Sequence, residues 1–127
     1  MKICVFDDDQ QILDLVKRLF EKAGHEVTVS TQPGLAVGIA VNNLPDAVIT
    51  DRMMPDMDGL QLIGKLRARK ELENTAIILM SADSRDGDRW RREARDAGAD
   101  DFIGKPFDPK TITAHVAAIV ELHRADN

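Results

Sequence analysis

The sequence of 127 residues contains one cysteine, one tryptophan and no tyrosine. A lone cysteine excludes an internal disulfide. Cys4 lies inside the apolar run Ile3-Cys4-Val5-Phe6 and reads as a packing residue rather than a nucleophile. Positive charge is not in excess: 17 basic residues face 22 acidic ones, a net charge of −5, which argues against nucleic acid or an anionic membrane as the main partner. No apolar run approaches the length of a membrane span. The N-terminus offers one lysine and a short apolar run that meets three aspartates at once, which is too short for a signal peptide. A cytoplasmic location without membrane insertion is the default expectation. The three histidines, His25, His115 and His123, share no metal-ligand spacing. Linkers, repeats and low-complexity stretches are also missing, so residues 1–127 are expected to form one domain with nothing left over for a second.

What the chain does have is a regular alternation. Lys2 to Phe6 is a β-branched and aromatic run stopped by Asp7-Asp8-Asp9, a buried strand and its loop. A helix is expected from Gln10 to Ala23, capped by Asp9, with Ile12, Val16, Leu19, Phe20 and Ala23 inward and Gly24 as its C-cap. His25 to Ser30 reads as the second strand. Pro33-Gly34 opens a second helix with Leu35, Ile39 and Ala36 inward, ending near Asn42-Asn43. Ala47 to Thr50 is the third strand. Asp58 caps a third helix, Gly59 to Lys70, with Leu62, Ile63 and Leu66 buried. Ala76 to Met80 is too short for a helix and reads as the fourth strand. A charged helix follows from Asp88 to Ala97, with Trp90 and Ala94 at helical spacing and Gly98 beyond it. Asp101 to Gly104 is the fifth strand. The last helix is predicted to start at Asp108-Pro109 and run to His123, with Ile112, Val116, Ile119 and Val120 inward. Five βα units predict an α/β fold: a five-stranded parallel sheet with helices on both faces.

The residues with chemistry fall at strand ends. Asp7 and Asp8 follow the first strand, Asp51 ends the third, Ser81 the fourth, and Lys105 follows the fifth. If strands one, three, four and five are neighbours, these residues meet in one crevice at the carboxyl edge, where open parallel sheets bind ligands. Three carboxylates there repel one another unless a cation or a proton intervenes, and an all-oxygen set favours Mg2+. A lysine and a hydroxyl beside them suit an incoming phosphoryl group, which a carboxylate can attack.

These segments carry a resemblance. Phe6-Asp7-Asp8-Asp9, Thr50-Asp51 with Met54-Pro55-Asp56-Met57-Asp58-Gly59, Met80-Ser81-Ala82, and Gly98-Ala99-Asp100-Asp101-Phe102 leading to Lys105-Pro106-Phe107 resemble the receiver domain of bacterial two-component response regulators, chemotaxis-regulator-like, in order and spacing over the whole chain. The resemblance implies a flavodoxin-like (βα)5 topology with strand order 2-1-3-4-5. It implies phosphorylation of Asp51 by a histidine kinase or phosphotransfer protein, with Mg2+ bound by Asp8 and Asp51 directly, Asp7 through water and Met53 through its carbonyl. Lys105 would pair with the phosphoryl oxygens across a cis peptide to Pro106, Ser81 would hydrogen-bond the phosphoryl group, and Phe102 would be the aromatic switch residue. Any enzymatic activity would be limited to self-phosphorylation and autodephosphorylation. A downstream protein or fused output domain, and a homodimer, would use the fourth helix, fifth strand and fifth helix.

Phe102 stands where tyrosine is commoner, and Met53 and Asp83 flank the path of the hydrolytic water. An apolar Met53 cannot orient that water, which gives an expected phosphorylated lifetime of minutes or more. Two other functions compete. A Mg2+-dependent phosphatase of haloacid dehalogenase type would use Asp7 as nucleophile, but Gln11 stands where that family wants Thr or Val. A receiver-like interaction module that takes no phosphate would be expected to have lost one of Asp7, Asp8, Asp51, Ser81 or Lys105. Asp9 and Asp58 read as helix caps and Asp56 as a solvated loop acid. The run Arg89 to Arg95, interleaved with Asp86, Asp88, Glu93 and Asp96, reads as a solvated face, with Trp90 either at a partner interface or covering core.

Overall fold

The computed structural model describes residues 1–82 and 87–126. Asp83, Ser84 and Asp86 lie outside the described residues. Strands β1 (Lys2–Phe6), β2 (Glu26–Ser30), β3 (Ala47–Asp51), β4 (Ala76–Ser81) and β5 (Asp101–Gly104) alternate with helices α1 (Gln10–Lys22), α2 (Ala36–Asn43), α3 (Gly59–Arg67), α4 (Gly87–Ala97) and α5 (Ile112–Ala125). The strands form one parallel sheet in the order β2-β1-β3-β4-β5, the flavodoxin-like order that the receiver resemblance implies.

The pleat sorts the core into two layers. Ile3 and Val5 of β1, Ala47 and Ile49 of β3 and Ile78 and Met80 of β4 pack with Leu13, Val16 and Phe20 of α1 and with Ile112, Val116, Ile119 and Val120 of α5. Their alternates, Cys4, Phe6, Val48, Ile77 and Leu79, pack on the other face with Ala36, Leu62, Ile63, Leu66, Trp90 and Phe102, covered by α2, α3 and α4. Both faces of β3 and β4 are therefore buried, which is why these strands read as unbroken apolar runs. Cys4 is 1% exposed, and burial pushes its thiol up to about 11. The native protein should accordingly leave a thiol reagent unconsumed at pH 8 until denaturant is added, which absorbance of the released chromophore would follow.

Several sequence expectations need correction. In α1 Val16 and Phe20 are buried as expected together with Leu13, whereas Ile12 and Leu19 are half-buried and Ala23 is exposed, because the true stripe runs 13-16-20. Leu35 is 53% exposed: Pro33–Leu35 forms a 3-10 turn, and its tighter pitch rotates Leu35 outward before α2 begins at Ala36. Helix α3 stops at Arg67 rather than Lys70, and a separate 3-10 turn, Lys70–Leu72, buries Leu72. Helix α5 begins at Ile112. Asp108 does cap, but its carboxylate accepts from the Lys110 N–H (2.9 Å) in a turn that precedes the helix. Trp90 covers core at 8% exposure. No helix among the described residues is long and apolar enough to cross a membrane.

Candidate functional site: an acidic pocket at the strand ends

Three elements bring the acids together. Strand β1 pairs with β3 through Phe6 opposite Thr50, so the residues that follow, Asp7 and Asp51, emerge side by side at the carboxyl edge. Asp7 is fully buried, Asp51 is 7% exposed, and Asp8 faces solvent. Oxygens of Asp7, Asp8 and Asp51 lie within 4.8 Å of one another. Asp9 caps α1 through the Gln11 N–H (2.9 Å), which bends the chain so that the Asp9 N–H also donates to the Asp7 carboxylate (2.9 Å).

Lys105 supplies the cation. It follows β5 at the cis peptide to Pro106, and its N–H donates to the Ser81 carbonyl (2.7 Å), which holds the end of β5 against that of β4. From there its ammonium donates to Asp7 (2.7 Å) and to Asp51 (3.2 Å). Burial pushes the Asp51 carboxyl up to about 6, and the Asp7 charge adds to this against the opposing pull of Lys105. Burial likewise raises Asp7. For Lys105 burial acts downward, but its hydrogen bond to Asp7 and the charges of Asp7 and Asp51 outweigh it and hold the ammonium above its usual range.

One ammonium among three carboxylates leaves two negative charges uncompensated in a half-buried pocket. Hard oxygen donors, an excess of two charges and an open side at exposed Asp8 fit a divalent cation such as Mg2+, which keeps several of its waters. The residues present thus suit the ion.

The β3–α3 connection is built tightly around Asp51. Met53–Met54 and Met57–Asp58 pair as a two-residue antiparallel ladder, a feature the Pro55 turn signal did not foretell. Asp58 caps α3 in a capping box with Gln61, and the D-x-x-Q spacing was there to be read. The Gly59 N–H donates to the Arg52 carbonyl (2.7 Å), and a Cβ on Gly59 would fall 2.2 Å from the Asp51 carbonyl oxygen. The sequence marks Gly59 as a turn or helix start and as part of the resemblance, without the close approach to Asp51. Sequence reading also passed over Arg52, whose side-chain partners Trp90 and Glu93 are some forty residues away in the chain.

Of the remaining expected site residues, Ser81 closes β4 opposite Gly104 and is buried, Phe102 is buried on the α4 side of the sheet, and the Met53 side chain is 73% exposed. Asp7, Asp8, Asp51 and Lys105 therefore share one pocket. Ser81 is tied to it through Lys105.

Fold and pocket together define a parallel α/β domain whose strand ends present an acidic site. The family model for the response regulator receiver domain matches residues 3–117. The transcriptional regulatory protein SrrA of Staphylococcus aureus is 33% identical over 119 residues, which cover 94% of this chain and 47% of that protein. The receiver domain of the Francisella response regulator 1452 superposes with a TM-score of 0.82 at 32% identity, covering 94% and 96% of the two chains. A two-component response regulator from Clostridium difficile gives a TM-score of 0.84 at 25% identity, covering 95% and 96%. The chain belongs to the response regulator receiver domain family, whose members are phosphorylation-dependent switches of two-component signalling. It spans about half the length of the curated relatives it matches. Receiver domains generally bind Mg2+ at an acidic pocket and interact with histidine kinases and output domains.

Proposed function

We propose that Asp51 is the phosphoacceptor of this receiver and that residues 1–127 act as one switch domain. The observation that carries the reading is the Lys105 ammonium shared between Asp7 and Asp51, which places a fixed positive charge beside the one nearly buried carboxylate at the end of the central strand. An Asp51 carboxylate oxygen attacks the phosphorus of a phosphohistidine donor. The new P–O bond forms as the P–N bond breaks, and the imidazole leaves with the bonding pair and takes up a proton from water. Asp8 and Asp51 would bind Mg2+ directly, Asp7 through water and Met53 by its carbonyl; bound there, the ion supplies charge neutralisation to the phosphoryl oxygens. Lys105 exchanges its carboxylate contact for a phosphoryl oxygen, and the Ser81 hydroxyl donates to another. That inward pull on the end of β4 changes the space beside Phe102, and the α4, β5 and α5 surface reports the result by population shift.

A histidine kinase or phosphotransfer protein is the donor in this reading, acting in the cytoplasm. An output partner, or a second copy of the chain, reads the α4–β5–α5 face. Incubation with acetyl phosphate and intact-mass measurement tests it. The wild type should gain one base-labile phosphoryl group only when Mg2+ is present, and Asp7→Asn should gain far less. Continuous phosphate release that needs Asp7 and survives Asp51→Asn would instead identify a phosphatase. Absence of any adduct, with acetyl phosphate and with a phosphohistidine donor alike, would favour a phosphate-independent interaction module.

A further inference from the structure

The residue after the acceptor is bound to α4 by its side chain. Arg52 extends from the end of β3 across the sheet edge, and its guanidinium carbon lies 3.5 Å from the centre of the Trp90 ring. One terminal nitrogen donates to the Glu93 carboxylate (3.3 Å), and Nε lies 4.0 Å from the Asp58 carboxylate that caps α3. The Arg52 side chain is only 16% exposed, so both the stacking and the ion pair are partly shielded from water. A second arginine, Arg89, holds the other Glu93 oxygen (3.1 Å) and lies 5.4 Å from the Trp90 ring centre, completing a clamp around the one tryptophan of the chain.

The Arg52 backbone is equally fixed. Its N–H donates to the Met80 carbonyl (3.2 Å), one residue before Ser81, and its carbonyl accepts from Gly59 (2.7 Å). Arg52 thus touches the end of β4, the start of α3 and the middle of α4 while sitting next to Asp51. The Arg52 side chain therefore offers a direct contact path from the acceptor loop and the β4 end to α4.

We propose that Arg52 is a positioning residue that couples occupancy of Asp51 to the position of α4 through the Trp90 and Glu93 clamp. The inference rests on the receiver reading and deepens it: the helix that faces the output partner is linked to the site by a specific cation, in addition to the movement of Ser81 and Phe102. An arginine is required for this. Its planar guanidinium can stack on an indole while donating in plane to a carboxylate, which a lysine ammonium cannot do.

The test compares wild type, Arg52→Ala, Arg52→Lys and Glu93→Gln as full chains, with beryllofluoride and Mg2+ as the probe. Two quantities are read: hydrogen exchange of the α4 backbone amides and Trp90 fluorescence. Ligand occupancy is followed separately by fluorine NMR. In the wild type, beryllofluoride should change both α4 exchange and Trp90 emission. In Arg52→Ala the bound fluorine signal should persist, whereas the ligand-induced change in α4 exchange should fall to about a third or less, the scale expected when a partly shielded cation–π contact and its ion pair are both removed. Arg52→Lys should restore only part of the response. Glu93→Gln, which alters a half-exposed surface residue, should weaken it in the same direction without risk to folding. An undiminished α4 response in both Arg52→Ala and Glu93→Gln, at equal occupancy, would overturn the coupling while leaving the receiver reading intact. Failure of the wild type to bind beryllofluoride would count against the receiver reading itself, and with it the coupling.

Discussion

Asp51→Asn should abolish the phosphoryl adduct and, with divalent cations chelated, make the protein between about 1 and 3 kcal/mol more stable than wild type at pH 7.5. The gain follows from the direction of the Asp51 shift. Its carboxyl is raised from the ordinary 3.8 to about 6 in the fold, chiefly by burial and then by the Asp7 charge. Ionising it therefore costs more in the folded state than in the unfolded one. Well below pH 3.8 both states hold the proton and the cost is absent. Between about pH 4 and pH 6 the folded state binds more protons than the unfolded one, so wild-type stability declines as pH rises, and above that the penalty is constant. Chemical denaturation at pH 3.5, 5 and 7.5 should show the Asn variant gaining with pH relative to wild type. Saturating Mg2+ should narrow the gap, because the wild type alone retains the full ligand set and is stabilised by binding. A variant less stable than wild type in chelator at pH 7.5 would mean that the carboxylate is well compensated by Lys105 and that the pocket does not seek a cation.

Gly59→Ala should be strongly damaging for a single-methyl change. The added Cβ would lie 2.2 Å from the Asp51 carbonyl oxygen and 2.8 Å from the Arg52 Cα, both main-chain atoms that cannot swing away as a flexible side chain would. Relief requires α3 to withdraw from β3, which breaks the Gly59 to Arg52 hydrogen bond and loosens the Asp58 capping box. A loss of about 3 kcal/mol is expected from overpacking combined with a lost buried hydrogen bond, measurable as a lower denaturation midpoint. Phosphorylation by acetyl phosphate should slow by about tenfold or more, since the acceptor backbone is what moves. By contrast, Gly64→Ala on the exposed side of α3 meets no atom within 4 Å and should be neutral or mildly stabilising. Equal behaviour of the two variants would mean that α3 does not pack closely on the Asp51 carbonyl.

Most of the fold could be read in the sequence because each strand is a short apolar run between polar stops, and five such runs separated by amphipathic stretches permit few architectures. The strand order came from the resemblance rather than from the pattern. Errors gathered where local geometry departs from the ideal helix: the 3-10 turn at Pro33–Leu35 that turns Leu35 outward, the early end of α3, and the turn that delays α5 to Ile112. Composition does not distinguish a tight first turn from a regular one. The acidic pocket was legible because Asp7, Asp51 and Lys105 each sit directly beyond an apolar run, and parallel pairing brings such positions together. The contacts of Arg52 and Gly59 were not legible. Trp90, Glu93 and the Asp51 carbonyl become their neighbours only through the β3–α3 turn and the placing of α4, and no spacing in the chain encodes that.

The central claim, that Asp51 itself accepts the phosphoryl group, is tested most directly by trapping the acyl phosphate. After incubation with acetyl phosphate and Mg2+, borohydride reduction converts a phosphorylated aspartate to homoserine, and peptide mapping locates it. Homoserine at position 51 alone is the expected result. Homoserine at position 7 or 8, with Asp51 unmodified, would contradict it.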